Sequence, residues 1–169
     1  LKDAEKRGRP DSVHRSLLTI LETPLFKKQM ANVIVHTIED KIIQIDPTVR
    51  LPKNYNRFVG LMEQLLEIGQ VPPIAENPLM KVDYKTLDMI LSEFDEVVLL
   101  SEKGKKEDVF NEESKDKNIC VIIGAFPKGD FSERFYRYAN RVVRISDMPL
   151  VSWVVAARVI YDYEKLLGW

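Results

Sequence analysis

Apolar residues in the first part of the chain occur at helical spacing and then in two short β-branched runs. The helical spacing lies behind polar capping residues and predicts a helix over 12–22. The β-branched runs flank Glu39-Asp40, a polar pair typical of a tight turn. We therefore expect two antiparallel strands within 31–46.

Helical spacing returns beyond a stretch that two prolines brace. Pro47 and Pro52 favour an extended connection, because the residue before a proline is biased away from the helical region. The apolar positions that follow predict a helix over 54–68, which Gly69 closes. Prolines at 72, 73 and 78 then indicate a loop.

The second half of the chain contains short runs that are wholly apolar. These runs predict buried strands at 97–100, 120–123 and 142–145, and a short amphipathic helix precedes the first of them. Short apolar strands that alternate with helices indicate an α/β fold with a parallel sheet.

Two segments of the second half depart from this alternation. Residues 101–118 are almost wholly polar, with five lysines balanced by six acids, and we expect a mobile, solvated loop there. Residues 149–166 predict a helix, entered through Pro149, that is apolar on more than one face. Such a helix must be buried on both sides, by the rest of the domain or by a second subunit.

The composition fits a single domain that spans 1–169. The chain has 169 residues, of which 45% are hydrophobic, enough for a proper core. It begins at Leu1 rather than at a methionine, so we expect an N-terminal strand to be missing. The single Cys120 can form no internal disulfide, and no run approaches the roughly 20 apolar residues of a membrane span. These features predict a cytoplasmic protein with no membrane partner.

Charge is distributed unevenly along the chain, although the formal net charge is only −1. Domains that grip nucleic acid over their whole surface are usually strongly basic, so this net charge argues against that class. Residues 41–58 and 128–144 are locally basic, whereas 83–96 is rich in Asp and Glu. We therefore expect a molecule with two electrostatically different faces.

The residues that usually carry metal, hydrolytic or nucleotide chemistry lack their characteristic spacing. His14 and His36 have no cysteine or carboxylate at metal-binding spacing, so we expect no metal site. Motifs for Ser, Cys or Thr nucleophiles are absent, as are the glycine patterns that cradle phosphates. Nucleophilic hydrolysis and ATP chemistry are therefore excluded.

Two loops at the ends of predicted parallel strands are candidate ligand sites, because open α/β sheets bind ligands at the carboxyl ends of their strands. The loop from Gly124 to Gly129 has glycines, which allow the close backbone approach or positive φ that suits an adenosine held by main-chain groups. The loop from Ile145 to Leu150 is a strand end that turns into a helix. Each loop, taken alone, is also compatible with an ordinary strand-to-helix turn.

A third candidate is the basic stretch that runs into the helix at 54–68. Arg50, Lys53 and Arg57 alternate there with aromatic residues, a spacing that can follow a phosphate backbone. The same residues are compatible with ordinary surface cations whose stems lie over an apolar helix base.

Five motifs occur in the order typical of one protein family. They are Arg9-Pro10-Asp11-Ser12-Val13-His14, Asp46-Pro47-Thr48-Val49-Arg50-Leu51-Pro52, Arg57-Phe58-Val59-Gly60-Leu61-Met62, Ile123-Gly124-Ala125-Phe126-Pro127-Lys128-Gly129 and Ile145-Ser146-Asp147-Met148-Pro149-Leu150. On these motifs the chain resembles, over nearly its whole length, the pseudouridine-specific methyltransferases of small-subunit ribosome biogenesis, in the SPOUT superfamily. Its short loops and Phe126-Pro127 pair are more similar to the archaeal branch than to the eukaryotic one.

The resemblance implies a SPOUT-like homodimer with an inserted antiparallel β-hairpin. The C-terminal stretch of its parallel sheet would be threaded into a trefoil knot, a topology otherwise almost absent from proteins. S-adenosylmethionine would lie bent in the knot loops, close to the partner subunit. The residues implied to bind this cofactor are Leu100, Gly124, Ala125, Phe126, Gly129, Arg144, Ile145, Ser146, Asp147, Met148 and Leu150.

The activity implied by the resemblance is methyl transfer to N1 of a pseudouridine in a small-subunit ribosomal RNA hairpin. Arg9 would bind the RNA and Asp11 would chiefly orient Arg9, and this pair is the predicted catalytic pair, although alone it is compatible with an ion pair at a helix start. Arg50, Lys53 and Arg57 would hold RNA phosphates. Lys53 stands where an arginine is common in the family, which keeps the charge but loses the planar fork. Ribosome assembly factors or ribosomal proteins are further implied partners.

Two alternative functions stay open from the sequence. The first is a non-catalytic, RNA-binding ribosome assembly factor with the same knotted dimeric fold, although the intact loop from Gly124 to Gly129 favours retained cofactor binding. The second is a related knotted enzyme that methylates ribose oxygens or transfer RNA, and the block from Arg50 to Arg57 argues against it.

Overall fold

The computed structural model describes residues 10–126 and 130–169. The first part of the chain forms an antiparallel sheet with the strand order β1-β2-β4-β3. Its strands are β1 (Val33–His36), β2 (Ile42–Ile45), β3 (Gln70–Val71) and β4 (Met80–Asp83). The antiparallel pair predicted within 31–46 is present as β1 and β2, with Asp40 in their turn at a φ of 65°. The predicted proline loop connects β3 to β4, two short antiparallel strands that the sequence did not predict.

Three helices accompany this sheet: α1 (Pro10–Leu21), α2 (Pro24–Lys27) and α3 (Tyr55–Ile68). The helices predicted over 12–22 and 54–68 are confirmed as α1 and α3. Asn54 caps α3 by accepting the backbone N–H of Arg57 at 3.0 Å, and Gly69 ends it at a φ of 98°, which glycine adopts without strain. The sequence did not predict α2, which Pro24 opens because its fixed φ suits a first helical turn.

The second part of the chain forms a parallel sheet with the strand order β6-β5-β7. Its elements in chain order are α4 (Leu87–Leu91), β5 (Glu96–Lys106), β6 (Ile119–Ile122), α5 (Glu133–Tyr138), β7 (Arg141–Arg144) and α6 (Ser152–Leu166). The predicted α/β fold with a parallel sheet is therefore confirmed. The sequence did not predict α5, whose side chains are all at least partly exposed.

Helices α1, α3 and α6 pack on the antiparallel sheet around a common core. Phe58 and Leu65 of α3 are 1% and 0% exposed, and Ile43 of β2 is 0% exposed. Burying each such side chain stabilises the fold by roughly 1.5–3 kcal/mol. Ile160 of α6 joins this core, while Val159 of α6 joins a second cluster under the parallel sheet. Helix α6 thus packs against both sheets.

The prediction of a solvated loop over 101–118 is wrong for most of that segment. Strand β5 continues to Lys106, with a register shift between Leu100 and Lys105, and a 3₁₀ helix spans Glu112–Asp116. Val109 is 2% exposed, and the Arg141 guanidinium donates to its carbonyl oxygen at 2.5 Å. Because isolated anchors of this kind produce no hydrophobic periodicity, the sequence pattern did not show them.

The apolar composition of α6 predicted burial on both sides. Within one chain only one side of the helix is buried. Its buried side carries Ala156, Val159 and Ile160. The opposite side is exposed and carries Arg158 and Asp162 as well as apolar residues. Coverage of that side by a second subunit stays a prediction. Within the described ranges, no helix is long and apolar enough to span a bilayer.

The arginines of the basic segment 128–144 are engaged in ion pairs rather than presented as an open basic surface. Arg134 contacts Asp40 in the β1–β2 turn, and Arg141 donates to Glu96 at 2.6 Å. The Arg134 contact, aided by a hydrogen bond from His36, lowers the pKa of Asp40 to about 2. The Arg134 contact therefore joins α5 to the β1–β2 turn of the antiparallel sheet.

Candidate active site

The carboxyl ends of β5, β6 and β7 lie at one edge of the parallel sheet and bring several predicted cofactor residues together. Leu100 of β5 is in register with Val143 of β7, directly before Arg144. Strand β6 is in register with β5 through Leu99 and Ile122, and Gly124 follows two residues later. The loops after β6 and β7 thus flank Leu100 of the central strand β5, at the usual ligand position in an open α/β sheet.

Gly124 lies against a cluster of phenylalanine rings. The Phe126 and Phe131 rings meet edge to face at 5.1 Å, and Phe131 lies 5.4 Å from Phe135. A Cβ atom at Gly124 would lie 2.8 Å from Cε1 of Phe126 and 3.1 Å from Cζ of Phe131. The backbone of Gly124 has no positive φ, so close approach of neighbouring atoms, rather than φ, requires a glycine here. Ala125 is half-buried beside it, and Gly129 lies outside the described residues.

Polar contacts hold the second predicted cofactor loop, between β7 and α6. Asp147 accepts hydrogen bonds from Lys106 at 2.5 Å and from Arg144. The Lys106 contact, followed by that of Arg144, lowers the pKa of Asp147. Ser146 Oγ accepts the backbone N–H of Met148 at 3.0 Å, while the Met148 side chain is 73% exposed. The loop is therefore fixed by its polar residues and presents Met148 outward.

A cleft of about 300 Å³ opens beside this loop. Its wall includes Arg144 and Ile145 from the predicted cofactor residues, together with Lys106 and Asp162. Leu150 is half-buried at the end of the loop, directly before α6. The cleft and the strand-end loops together offer main-chain groups, apolar side chains and a few charges, a set that suits an adenosine-containing ligand.

A hydrogen-bond network at the end of β5 was missed by sequence reasoning. The Tyr136 hydroxyl donates to Asp130 at 2.5 Å and lies 2.8 Å from Ser101 Oγ, and Lys103 Nζ lies 2.7 Å from Asp130. Burial acts to raise the pKa of Asp130, but hydrogen bonds from Lys103 and Tyr136 outweigh it and leave that pKa lowered. The network connects α5 to the end of β5. No local pattern signals it, because its members are far apart in the chain.

The predicted RNA-binding cations lie on an open surface at the start of α3. Arg50, Lys53 and Arg57 are all exposed, and within residues 10–126 and 130–169 no carboxylate forms an ion pair with them. Leu51, between them in the chain, is 8% exposed and anchors the segment. The cations are therefore held in place by their backbone while their charges remain available to a polyanion.

His14 of α1 connects this basic segment to the first helix. It is 4% exposed, its Nε2 lies 2.6 Å from the carbonyl oxygen of Pro52, and its ring stacks on Phe58 at 4.4 Å. The sequence singled His14 out only to exclude it as a metal ligand. Its spacing to Leu17 and Leu21 places it on the apolar side of α1, which is the signal that predicts burial.

Helix α1 also contacts the start of α6, which follows the cofactor loop. Ser16 Oγ lies 2.8 Å from Ser152 Oγ, across 136 residues of sequence, and Ser152 begins α6 directly after that loop. Asp11 lies in the first turn of α1, whereas Arg9 lies outside the described residues. One helix therefore connects the basic segment, the predicted catalytic Asp11 and the cofactor loop.

Cys120 and the residue types that bind metals are alternative candidates for a centre of chemistry. Burial raises the pKa of the Cys120 thiol to about 11, so this cysteine is protonated at neutral pH and is a poor nucleophile. Within the described part of the chain, no group of three His, Cys, Asp or Glu residues could hold a metal ion.

The family comparison identifies the class of protein to which the chain belongs. The family described as EMG1/NEP1 methyltransferase matches residues 1–164. The chain belongs to the EMG1/NEP1 methyltransferase family. The family resemblance drawn from the five sequence motifs is thereby confirmed.

Members of the EMG1/NEP1 family resemble the chain over its full length. It is 43% identical over 169 residues to the ribosomal RNA small subunit methyltransferase Nep1 of Saccharolobus solfataricus, covering 100% of this chain and 76% of that protein. Identity to the protein of the same name from Thermococcus kodakarensis is 38% over 173 residues, covering 99% and 76%. The crystal structure of Archaeoglobus fulgidus Nep1 bound to S-adenosylhomocysteine superposes with a TM-score of 0.84 at 36% identity, covering 100% and 76%.

The His14 contact gives a stability prediction for this family member. Replacing His14 with alanine removes the hydrogen bond to Pro52 and the stacking on Phe58, and we expect the free energy of unfolding to fall by about 2–3 kcal/mol. Urea denaturation measures this change. His36→Ala is the control. His36 contacts the exposed Asp40, so its replacement should lower the free energy of unfolding by less. Equal stability of His14→Ala and the wild-type chain would show that the contacts of His14 with Pro52 and Phe58 do not stabilise the fold.

Proposed function

We propose that this chain transfers the methyl group of S-adenosylmethionine to N1 of a pseudouridine in small-subunit ribosomal RNA. The observation that carries the proposal is the position of α1. This helix is tied to the basic segment through His14 and Pro52, and to the cofactor loop through Ser16 and Ser152. An RNA loop held on the basic segment would therefore lie near a cofactor held at the strand ends, with Asp11 in the first turn of the same helix.

The strand-end loops fit the cofactor. Gly124 lies so close to the Phe126 and Phe131 rings that a Cβ atom there would press on them, and the cleft beside Arg144 and Ile145 offers polar and apolar wall atoms. S-adenosylhomocysteine, the demethylated form of the cofactor, is bound by the Archaeoglobus fulgidus protein of similar fold. We assign cofactor binding to Leu100, Gly124, Ala125, Phe126, Arg144, Ile145, Ser146, Asp147, Met148 and Leu150, with Gly129 outside the described residues.

The chemistry requires alignment more than activation. The bound cofactor supplies a methyl group on a sulfonium, which is already electrophilic. Pseudouridine is linked to ribose through carbon, so its N1 carries a proton and can accept the methyl group once that proton leaves, whereas N1 of uridine is already bonded to ribose. The protein has to present N1 in line with the methyl group and exclude water, which is worth several kcal/mol of barrier.

The proposed RNA-binding residues divide into a group that holds phosphates and a pair that acts at the target nucleotide. Arg50, Lys53 and Arg57 hold the phosphates of the hairpin, and Arg9 contacts the target nucleotide while Asp11 orients Arg9. The reactive edge of the base becomes accessible when the nucleotide is flipped out of its stack. The exposed basic surface supports this division, because these three cations form no ion pair with a carboxylate of the described ranges and can neutralise phosphates directly.

The proposal includes a cytoplasmic, knotted homodimer that works during ribosome assembly, with assembly factors or ribosomal proteins as further partners. The exposed side of α6 supports a dimer, because Tyr161 is 58% and Val151 is 49% exposed, and Met148 of the cofactor loop is 73% exposed. Large exposed apolar residues are frequent at subunit interfaces.

The decisive experiment uses two RNA hairpins that differ only in uridine or pseudouridine at one loop position. With methyl-labelled cofactor, we expect label in the pseudouridine hairpin alone, and mass spectrometry of the nucleosides should place it on N1. Equal labelling of both hairpins would contradict the substrate assignment. Tight binding of both hairpins without any label would instead favour the non-catalytic assembly factor.

A further inference from the structure

The outer face of α1 carries an arginine that stacks on a tryptophan of α6. The Cζ atom of Arg15 lies 5.0 Å from the centroid of the Trp153 ring. Arg15 is exposed and Trp153 is half-buried, so the guanidinium covers the indole on one side and meets solvent on the other. The indole thereby holds the plane of a long, otherwise flexible side chain.

Arg15 stands in the chain between the two residues of α1 that make the long-range contacts, since His14 contacts Pro52 and Ser16 contacts Ser152. Arg15 is four residues from Asp11, which places both on one face of α1. Trp153 is three residues beyond Leu150 and directly follows Ser152, the residue that contacts Ser16. An RNA strand that runs from the basic segment towards the cofactor loop would pass over this position.

We propose that Arg15, backed by Trp153, is a stacking platform for an unpaired base of the RNA substrate next to the target nucleotide. This inference rests on the proposed function and adds to it a residue for a neighbouring base. Unpaired bases stack on guanidinium planes and aromatic rings, and the planar fork of an arginine held by an indole presents such a plane. Arg15 contacts the base, and Trp153 is a positioning residue that acts through Arg15.

The test compares Arg15→Lys with Arg15→Ala, using the hairpin and a blunt RNA duplex of equal phosphate count. Lysine keeps the positive charge but lacks the planar guanidinium group. Stacking therefore predicts that both variants bind the hairpin about ten-fold more weakly, while Arg15→Lys leaves duplex affinity and the salt dependence unchanged. Lys165→Ala is the matched control, because it removes another cation over a ring of α6, 5.6 Å from the Tyr161 centroid. We expect no change in hairpin binding for that variant.

Trp153 gives a direct optical readout of the same contact. The chain has two tryptophans, so in a Trp169→Phe background Trp153 is the sole emitter. Its emission should change on adding the hairpin and stay constant on adding the duplex. Trp153→Leu should weaken hairpin binding as Arg15→Lys does, and Trp153→Phe should restore most of the affinity because it keeps a ring.

The outcomes separate this inference from the proposed function. Wild-type hairpin affinity in Arg15→Lys, or an equal loss on hairpin and duplex, would overturn the platform while methyl transfer stands. Hairpin binding without methyl transfer would overturn the proposed activity. The stacking platform would then stand or fall on the hairpin and duplex affinities of Arg15→Lys. A wild-type chain that binds no hairpin would overturn both.

Discussion

Replacing Gly124 with valine should abolish S-adenosylmethionine binding, with an affinity loss of roughly 100-fold or more. The Cβ atom alone would come within 2.8 Å of Phe126 and 3.1 Å of Phe131. Those contacts are with ring ends that can move, so the fold should survive while the rings are pushed into the space beside the strand ends. The cofactor and the displaced Phe126 would then compete for the same volume. Isothermal calorimetry with the cofactor measures the loss directly.

The control for this variant is Gly60→Val. Gly60 lies within α3, and a Cβ atom there meets nothing within 4 Å. A valine at that position should leave cofactor affinity unchanged, and circular dichroism should show both variants folded. Wild-type cofactor affinity in a folded Gly124→Val chain would remove the site from this loop.

Replacing Arg50, Lys53 and Arg57 together with alanine should cost about 100-fold in RNA affinity at low salt, for hairpins of any sequence. Each lost phosphate contact reduces the slope of log affinity against log salt by roughly 0.7–0.9, so the slope should flatten by about 2–3. Cofactor affinity should stay unchanged, because the three residues lie at the start of α3 and away from the strand-end loops. Filter binding over a salt series measures both quantities.

The matched control removes the same positive charge from another surface. Lys105, Lys115 and Arg137 are exposed, and each forms an ion pair with a nearby glutamate at 3.8, 2.8 and 3.9 Å. Their triple alanine variant should change the salt slope far less, because those charges are already paired. If the first triple variant keeps the wild-type slope, the basic segment is an ordinary solvated surface and the RNA assignment there is wrong.

Local sequence patterns determined most of the secondary structure. Helical spacing predicted α1 and α3, Gly69 marked a helix end, and apolar runs predicted the strands of the parallel sheet. These features depend on residues within one or two turns of each other, so a short window of sequence contains their cause. The five family motifs likewise lie in continuous segments, and the family they indicated is confirmed.

The tertiary structure decided how these pieces meet. It placed β3 and β4 in the antiparallel sheet, ordered much of 101–118 through Val109 and Arg141, and paired Arg134 and Arg141 with carboxylates. It also joined His14 to Pro52 across 38 residues and Ser16 to Ser152 across 136. No window of sequence contains such pairs, because each depends on the packing of elements that the chain brings together only when the whole core forms. The sequence therefore determined which residues are available to the site, and long-range packing decided which of them are neighbours.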